Sequence, residues 1–126
     1  MNVGDYCYIK GKNRDYGIGK IVQLNSGYSS NGGELIDILF KHSKHAVPKK
    51  DVISSPQIID LIEVGDFITY KQGNFYWNVF EQVSARYNRE NQMTDLIVDN
   101  KPLNTVEILT VITHEQMEAM QYRVEE

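Results

Sequence analysis

The chain has 126 residues, of which 41% are hydrophobic, and a formal net charge of −4. This length allows one ordinary domain or two very small ones, and the lack of a long apolar run excludes a membrane-spanning helix. The first residues lack the basic and apolar regions of a signal peptide, and the single cysteine, Cys7, cannot form an internal disulfide. These features predict a globular protein of the cytoplasm.

The charges divide unequally along the chain. Residues 1–55 contain eight basic and five acidic residues, a net charge of +3, whereas residues 56–126 contain five and twelve, a net charge of −7. Such asymmetry is typical of an interaction surface, but opposite charges would also help two halves of one molecule to pack together. The sequence leaves both interpretations open.

An internal repeat is the strongest pattern in the sequence. The segment Val3–Tyr6 returns as Val64–Phe67, at an offset of 61 residues. Further correspondences are Tyr16 with Trp77 and Val22 with Val83 at this offset, 37–39 with 95–97 at an offset of 58, and 52–53 with 111–112 at an offset of 59. The first change of offset falls at the polar segment 25–33, where a loop absorbs length at little cost. The pattern predicts two copies of one unit, 1–55 and 56–126.

Short runs of β-forming residues follow one another through the first copy. Apolar and polar residues alternate from Tyr6 to Lys10, and the Gly-Asp pair before this run is a turn signal. Further strands are expected at 17–24, 35–40, 46–48 and 51–53. Ser54–Gln57 then has the features of a helix start, since proline is accepted in a first helical turn.

The second copy repeats this plan and ends in a helix. Strands are expected at 67–71, 76–83, 94–98, 105–109 and 111–112. Thr113–Gln116 is a capping box, in which each side chain accepts a backbone N–H of the other residue, and Met117 and Met120 give the following helix an apolar face. The sequence therefore predicts an all-β protein of two tandem SH3-like small barrels with a short C-terminal helix.

The first copy resembles the entry hairpin of SH3-like barrels of the KOW and Tudor type. The residues that carry this resemblance are Gly4-Asp5, the alternating run to Ile9, and Gly17–Val22, within the segment Val3–Leu24. The resemblance implies a small barrel for about a fifth of the chain. Because many small barrels open on Gly-Asp and alternating hydrophobic residues, it implies no specific activity.

The second copy resembles small uncharacterised proteins from phages and prophages of Gram-positive bacteria. Ile58–Phe67 is similar to their opening, and Ile108–Glu118 followed by Tyr122-Arg123-Val124 is similar to their end. The resemblance implies an origin in a mobile genetic element. It implies no activity, because none is established for those proteins.

Patterns typical of catalysis are weak. Cys7 lies at an inward-facing position of its strand and is expected to be a small core residue. Asp5 and Asp66 occupy the same place in the repeat, which favours turn chemistry over acid–base catalysis. His114 is the first residue of the final helix and is expected to face solvent. We therefore expect no enzyme and no catalytic residue.

Patterns typical of metal or cofactor binding are equally weak. His42 and His45 are three residues apart, but no second cluster of ligands completes a metal site. Gly17-Ile18-Gly19 lacks the further spacing and the following helix of a dinucleotide-binding loop. We therefore expect neither a metal nor a cofactor.

Basic residues interleave with aromatic ones in the first copy. This pattern suits nucleic acid, since cations meet phosphates while rings stack on bases. Lysines at sheet edges also deter aggregation, which is the alternative explanation. The candidate nucleic-acid-binding residues are Lys10, Lys12, Arg14, Tyr16, Lys20, Lys41 and Lys44.

The second copy has aromatic residues with acidic neighbours instead. Trp77 stands where the first copy has Tyr16, and it lies beside Phe75, Tyr76 and Phe80. An aromatic cluster with an acidic rim fits a protein partner better than a phosphate backbone. The candidate partner-binding residues are Tyr76, Trp77, Glu81 and Glu90.

The sequence as a whole favours a non-enzymatic protein-binding module. The phage resemblance implies a host bacterial protein as the partner, with inhibition of a defence or regulatory complex as one form of the function. The alternative is a KOW-like nucleic-acid-binding protein that uses the basic first barrel. The sequence identifies neither the partner nor the oligomeric state.

Overall fold

The computed structural model describes residues 1–30, 32–41, 43–88, 94–103 and 107–124. Within these residues, ten strands form two five-stranded antiparallel sheets, and an α-helix follows the last strand. The chain divides between Leu61 and Ile62 into two units, each with one sheet. The predicted all-β fold with a short C-terminal helix is confirmed.

The first unit combines five strands with three short 3₁₀ helices. Its strands are β1 (Tyr6–Ile9), β2 (Gly19–Tyr28), β3 (Glu34–Leu39), β4 (Lys44–Pro48) and β5 (Val52–Ser55). The 3₁₀ helices span Gly11–Tyr16, Lys49–Asp51 and Ile58–Leu61. The strand order in the sheet is β4-β3-β2-β1-β5, so the last strand pairs with the first, as in an SH3-like barrel.

The second unit contains five strands and the C-terminal helix. Its elements are β6 (Phe67–Gln72), β7 (Phe75–Asn88), β8 (Thr94–Val98), β9 (Lys101–Leu103), β10 (Glu107–Ile112) and α1 (His114–Val124). The strand order β10-β6-β7-β8-β9 is that of the first unit, with each strand replaced by its counterpart. The sequence did not predict β9, and residues 105–106 of the expected strand 105–109 lie outside the described residues.

The strand registers support the repeat but correct its alignment by one residue in the second strands. Equivalent cross-strand pairs are Cys7 with Gly19 and Ile68 with Glu81. Ile21, and not Val22, therefore corresponds to Val83. Ile21 and Val83 are both 1% exposed, whereas Val22 is 39% exposed. A slip of one residue moves every side chain of a strand to the opposite face, so burial distinguishes the two alignments.

The third strands are displaced by two residues from the sequence alignment. In each unit the register between the second and third strands shifts at the same point. The shift follows the pair Ile21–Ile38 in the first unit and the pair Val83–Val98 in the second. Ile38 therefore corresponds to Val98 and not to Leu96. Apolar alternation has a period of two and cannot detect such a displacement. The last strands are displaced too. The sequence alignment sets 52–53 against 111–112, but the strand pairing places Ser54 and Ser55 at the positions that Val111 and Ile112 occupy in the second unit.

The Gly-Asp turn before the first strand is the same in both units. Gly4 and Gly65 have φ angles of 95° and 97°, which glycine adopts without strain. Their N–H groups donate 2.8 Å hydrogen bonds to equivalent carbonyls, those of Ile21 and Val83. The carboxylates of Asp5 and Asp66 each accept the backbone N–H three residues earlier, at 2.9 and 2.8 Å. The predicted turn chemistry of the two aspartates is confirmed.

Each unit has its own set of buried apolar residues. In the first unit these are Cys7, Ile9, Ile21, Ile36, Ile38, Phe40, Val47, Val52 and Leu61. In the second they are Ile62, Ile68, Tyr70, Val83, Leu96, Val98 and Leu103. The side chains that alternate into these cores come from the strand segments that the two units share.

Candidate partner-binding surface

The first two strands of the second unit form a hairpin with a two-residue turn. Gly73 and Asn74 connect β6 to β7, and Gly73 has a φ of 59°, as a tight hairpin turn requires. Beside the turn, the cross-strand pairs are Gln72 with Phe75, Lys71 with Tyr76 and Tyr70 with Trp77. In the first unit a 3₁₀ helix makes the same connection. The two units therefore differ most between their first and second strands.

Apolar side chains are exposed on both faces of this hairpin. Phe75 is 75% exposed, Tyr76 58% and Val79 77%. Trp77 and Phe80 are 41% and 39% exposed. Neighbouring residues of a strand point to opposite faces, so both faces of this segment leave apolar side chains open to solvent. We call residues 70–81 the aromatic hairpin.

A bulge interrupts the aromatic hairpin. Three residues of β7, 78–80, lie opposite a single residue of β6, Thr69. Bulges bend a strand and redirect its side chains, and they are frequent beside functional sites. Val79 and Phe80 lie in this bulge, which explains why they are exposed in the middle of a long strand.

Two lysines lie over the exposed rings of the hairpin. Lys71 Nζ is 5.1 Å from the centre of the Tyr76 ring, and Lys101 Nζ is 6.0 Å from the centre of the Trp77 ring. Trp77 also stacks on Tyr70, with the ring centres 5.8 Å apart. A cation within about 6 Å of a ring is attracted by the ring quadrupole. The two predicted contact residues of the hairpin, Tyr76 and Trp77, therefore lie together with positive charges.

Acidic groups lie at the base of the hairpin. Burial raises the pKa of the Tyr70 hydroxyl above its ordinary value, and the nearby charges of Glu81 and Asp99 raise it further. Glu81 is half-buried in β7. Glu90, the other predicted acidic contact, lies outside the described residues. Of the two predicted acidic contacts, Glu81 therefore lies at the base of the hairpin, and Asp99 and Glu107, the cross-strand neighbour of Lys71, are further acidic residues of this part of the unit.

The predicted nucleic-acid-binding residues lie in different environments. Arg14 is 2% exposed, and its guanidinium donates a 3.1 Å hydrogen bond to the Leu61 carbonyl. Lys10 donates from Nζ to the Lys50 carbonyl at 2.9 Å. The side chain of Lys12 lies outside the described part of the chain. Arg14 is therefore a structural residue of the first unit, and its burial keeps it away from a phosphate.

Tyr16 is held in an aromatic group of the first unit. Its ring centre lies 5.6 Å from that of Phe40 and 4.8 Å from that of His45. Tyr16 ends a 3₁₀ helix, whereas Trp77 lies within a strand. The two residues correspond in the sequence alignment but occupy different structures.

A small groove on the first unit brings several of the remaining candidates together. Its volume is about 320 Å³, and Tyr6, Lys20, Leu39 and Lys41 are among its lining residues. Lys20 Nζ lies 4.9 Å from the centre of the Tyr6 ring. Lys44 is exposed in the neighbouring strand β4 and does not line the groove. The groove therefore combines two cations with one aromatic ring.

The sequence did not predict a polar cluster at the start of α1. Asp66 is fully buried, and its Oδ1 lies 3.0 Å from the backbone nitrogen and 3.0 Å from Nδ1 of His114. His114 Nε2 is 2.7 Å from a carboxylate oxygen of Glu115. The side chain of His114 is 39% exposed, so the expectation that it faces solvent is only partly met. The imidazole lies between two carboxylates.

The same cluster is the set of residues that could supply metal ligands. One ligand atom from each of Asp66, His114 and Glu115 lies within 4.8 Å of the others. The two oxygens of Asp66 already accept backbone N–H groups, one from Glu63 and one from His114. A carboxylate used in this way holds a turn and the start of a helix. We therefore interpret the cluster as the structural connection between β6 and α1.

The predicted capping box reinforces this helix start. Gln116 N–H donates to Thr113 Oγ1 at 3.1 Å, and Thr113 N–H donates to Gln116 Oε1 at 2.9 Å. Both side chains therefore satisfy backbone groups that a helix start leaves without partners in the helix. The prediction of a capping box at 113–116 is confirmed.

Cys7 is a core residue, as predicted. It is fully buried, and burial together with the charge of Asp5 raises the pKa of its thiol from 9.0 to about 12. The thiolate is the nucleophilic form of cysteine. At neutral pH Cys7 is therefore protonated and acts as a small apolar side chain.

The sequence contains one signal that would have identified more of the hairpin. Residues 75–80 are apolar at every position except Asn78, so both faces of the strand are apolar in a unit too small to bury both. This pattern points to Phe75, Val79 and Phe80, which were not among the predicted contacts. No local pattern points to Lys101, because its place over Trp77 depends on β9.

No protein-family model matches the chain, and no curated protein matches it either. Among the described residues, no helix is long and apolar enough to cross a membrane. The functional assignment therefore depends on the surface of the molecule itself.

Proposed function

We propose that this protein is a non-enzymatic protein-binding module that contacts its partner through the aromatic hairpin. The observation that carries the proposal is the exposure of apolar side chains on both faces of residues 75–80. Aromatic side chains offer about 150–250 Å² each, so the exposed part of these side chains is on the order of 500 Å². A patch of this size is at the upper end for monomeric proteins and is often functional.

The composition of the hairpin also supports a protein partner. Trp and Tyr are enriched among the residues that contribute most to protein–protein binding. They expose a large apolar area at a low cost in side-chain entropy. The stack of Trp77 on Tyr70 fixes the indole before binding, which lowers that cost further.

A bacterial host protein, bound in the host cytoplasm, is the partner that we propose. The reason is the resemblance of residues 58–67, 108–118 and 122–124 to phage and prophage proteins. A small protein without catalytic groups can act on a host by covering a functional surface. Inhibition of a host defence or regulatory complex is the form of action that we propose.

Affinity capture from a bacterial lysate tests the proposal. The full chain, immobilised, is expected to retain one stoichiometric host protein, and Trp77→Ala is expected to lose it. Tyr16→Ala is the matched control, because Tyr16 is similarly exposed but lies in the first unit. Capture that is equal for the wild type and Trp77→Ala, with both proteins folded, would exclude the hairpin as the contact surface.

Nucleic-acid binding by the first unit is the second candidate function. The observation in its favour is the groove in which Lys20 lies over Tyr6 and Lys41 lines the edge. A phosphate contact must weaken steeply as salt increases. Binding to single- and double-stranded RNA and DNA at two salt concentrations, with Lys20→Glu as the variant, measures this directly. Absence of binding at low salt would exclude this function.

A further inference from the structure

The outer edge of β7 is open beside the turn of the aromatic hairpin. On one side, residues 75–82 pair with β6, and on the other side β8 pairs with β7 only from Val83 onward. Among the described strands, none pairs with the outer edge of residues 75–82. An open strand edge presents unpaired backbone N–H and C=O groups, to which another chain can add.

The turn determines which backbone groups face this edge. A two-residue turn places a hydrogen-bonded pair at Gln72 and Phe75, and hydrogen-bonded and non-bonded pairs alternate along an antiparallel ladder. Tyr76, the next residue, therefore directs its N–H and C=O away from β6. The bulge at 78–80 ends the regular edge, so an added strand has a short segment centred on Tyr76 to pair with.

This edge lacks two of the usual protections against strand addition, charge and proline, although the bulge at 78–80 shortens it. Natural edges carry charged residues or proline, but residues 73–80 contain neither. Instead, the edge is apolar on both faces. At the equivalent place in the first unit, a 3₁₀ helix of residues 11–16 interrupts the backbone pairing. The open edge is therefore particular to the second unit.

The charges at the edge select an acidic partner. Residues 56–126 carry a net charge of −7, yet the two lysines of the second unit, Lys71 and Lys101, both lie over exposed rings of the hairpin. The described arginine of this unit, Arg86, donates instead to the Ile62 carbonyl at 2.6 Å. Both lysines of the unit thus lie beside the open apolar edge, where Glu107 is the cross-strand neighbour of Lys71. A carboxylate on an added strand would be attracted to these lysines.

The charge of this surface argues against a second copy of the chain as the occupant. Two copies of the edge would bring Lys71 and Lys101 of one chain close to the same lysines of the other. A short extended segment of another protein that carries carboxylates avoids this repulsion.

We propose that the partner binds by strand addition, with an extended segment of alternating apolar and acidic residues pairing with the outer edge of β7 at Phe75–Trp77. This inference rests on the proposed function and specifies its geometry. Tyr76 and Trp77 point to opposite faces of β7. The apolar side chains of the added strand therefore contact the Trp77 ring on one face, and its carboxylates meet Lys71 beside the Tyr76 ring on the other. Strand addition of this kind gains affinity from main-chain hydrogen bonds and specificity from alternate side chains.

A pair of synthetic peptides tests the charge preference. The probe is an acetylated and amidated eight-residue peptide of alternating Val and Glu, and the control alternates Val and Lys. By fluorescence anisotropy, the acidic peptide is expected to bind the full chain at least tenfold more tightly than the basic one. Equal affinities, or no binding of the acidic peptide, would overturn the proposal.

Two substitutions at one position test the backbone contact. Tyr76→Ala removes the side chain, whereas Tyr76→Pro also removes the outward N–H. An edge strand tolerates proline at a position whose N–H faces solvent. The proline variant is expected to bind the acidic peptide at least tenfold more weakly than the alanine variant. Equal affinities would overturn strand addition. They would leave the proposed function intact if Trp77→Ala still abolished partner capture.

Hydrogen exchange provides a measurement that needs no substitution. The backbone amide of Tyr76 is expected to exchange rapidly in the free wild-type protein and at least tenfold more slowly with the acidic peptide bound. Unchanged exchange under saturating peptide would contradict the pairing. A concentration-dependent dimer of the free protein that slows the same amide would identify a second copy as the occupant and overturn the proposal.

Discussion

The two units share a scaffold and differ in one connection. Both have the same strand order, the same Gly-Asp turn and a register shift at the same place in the second strand. Between the first two strands, one unit has a 3₁₀ helix with a buried arginine, and the other has an exposed aromatic hairpin. A duplicated fold can therefore keep its core while one connection changes, and that connection is where we expect function to lie.

The largest expected effect separates the two aspartates of the shared turn. Asp66 is fully buried and accepts hydrogen bonds from Glu63 and His114, whereas Asp5 accepts one from Asn2. Asp66→Asn is expected to reduce the free energy of unfolding by about 3 kcal/mol, and Asp5→Asn by about 1 kcal/mol. Urea denaturation measures both, with the single tryptophan, Trp77, reporting on the second unit.

Equal losses for the two variants would contradict the assignment of an additional role to Asp66. The assignment would also be contradicted if Asp66→Asn shifted the unfolding transition seen by far-UV circular dichroism but not the transition seen by Trp77 fluorescence. Asp66 and Trp77 belong to the same unit, so both signals should shift.

A smaller effect is expected at Gly19, where β2 and β3 approach closely. A Cβ atom at this position would lie 2.6 Å from the Leu39 carbonyl oxygen and 2.9 Å from both Ile38 Cγ2 and Phe40 Cδ1. Gly19→Ala is therefore expected to destabilise the first unit by about 2 kcal/mol through overpacking. Its register equivalent in the second unit is Glu81, and Glu81→Ala is expected to change stability by no more than about 0.5 kcal/mol.

Thermal unfolding of the two variants, followed by far-UV circular dichroism, measures this contrast. If Gly19→Ala unfolds at the same temperature as the wild type, the close approach of β2 to β3 does not constrain the first unit.

The effect that is smallest near neutral pH is a pH dependence from the core of the first unit, which appears only in alkali. The pKa of Cys7 rises from 9.0 to about 12 on folding, so the folded state holds the proton more tightly. The resulting stabilisation is complete below pH 9 and is lost as the pH rises from 9 towards 12, by up to about 1.4 kcal/mol per pH unit. Cys7→Ala is expected to show a shallower alkaline loss, measured as the slope of the unfolding free energy against pH.

Tyr70 provides the corresponding comparison in the second unit. Its pKa is also raised, so it adds to the alkaline loss above its ordinary value of 10.0 in the wild type and in Cys7→Ala alike. The slopes of the unfolding free energy against pH are compared between pH 9 and 10. Identical slopes in the wild type and Cys7→Ala would show that the Cys7 thiol does not lose a proton on unfolding in this range.

The sequence predicted the parts of the fold that depend on local pattern. Alternation at Tyr6–Ile9 placed Cys7 inside, and Thr113 with Gln116 identified the helix cap, because both signals involve neighbouring residues. The alignment of the repeat failed by one residue at Val22 and by two at Ile38. Register depends on cross-strand pairing, which a single strand does not encode beyond its period of two.

The candidate site was predictable only in part for the same reason. Tyr76 and Trp77 are recognisable from composition, since aromatic residues next to a Gly-Asn turn stand out in the chain. The burial of Arg14 and the position of Lys101 over Trp77 depend on residues distant in sequence, Leu61 and the strand β9. The predicted charge of the surface therefore differed from the charges found beside the rings.

The central claim is that partner binding depends on the exposed apolar residues of the hairpin and not on apolar exposure in general. The most direct measurement is titration calorimetry of the captured partner against two double variants. Phe75→Ser with Val79→Ser changes the hairpin, and Val22→Ser with Leu39→Ser changes exposed apolar residues of the first unit. We predict a loss of affinity of about a hundredfold, or roughly 2.7 kcal/mol, for the hairpin variant and less than twofold for the other. Equal losses, or a greater loss in the first-unit variant, would contradict the assignment.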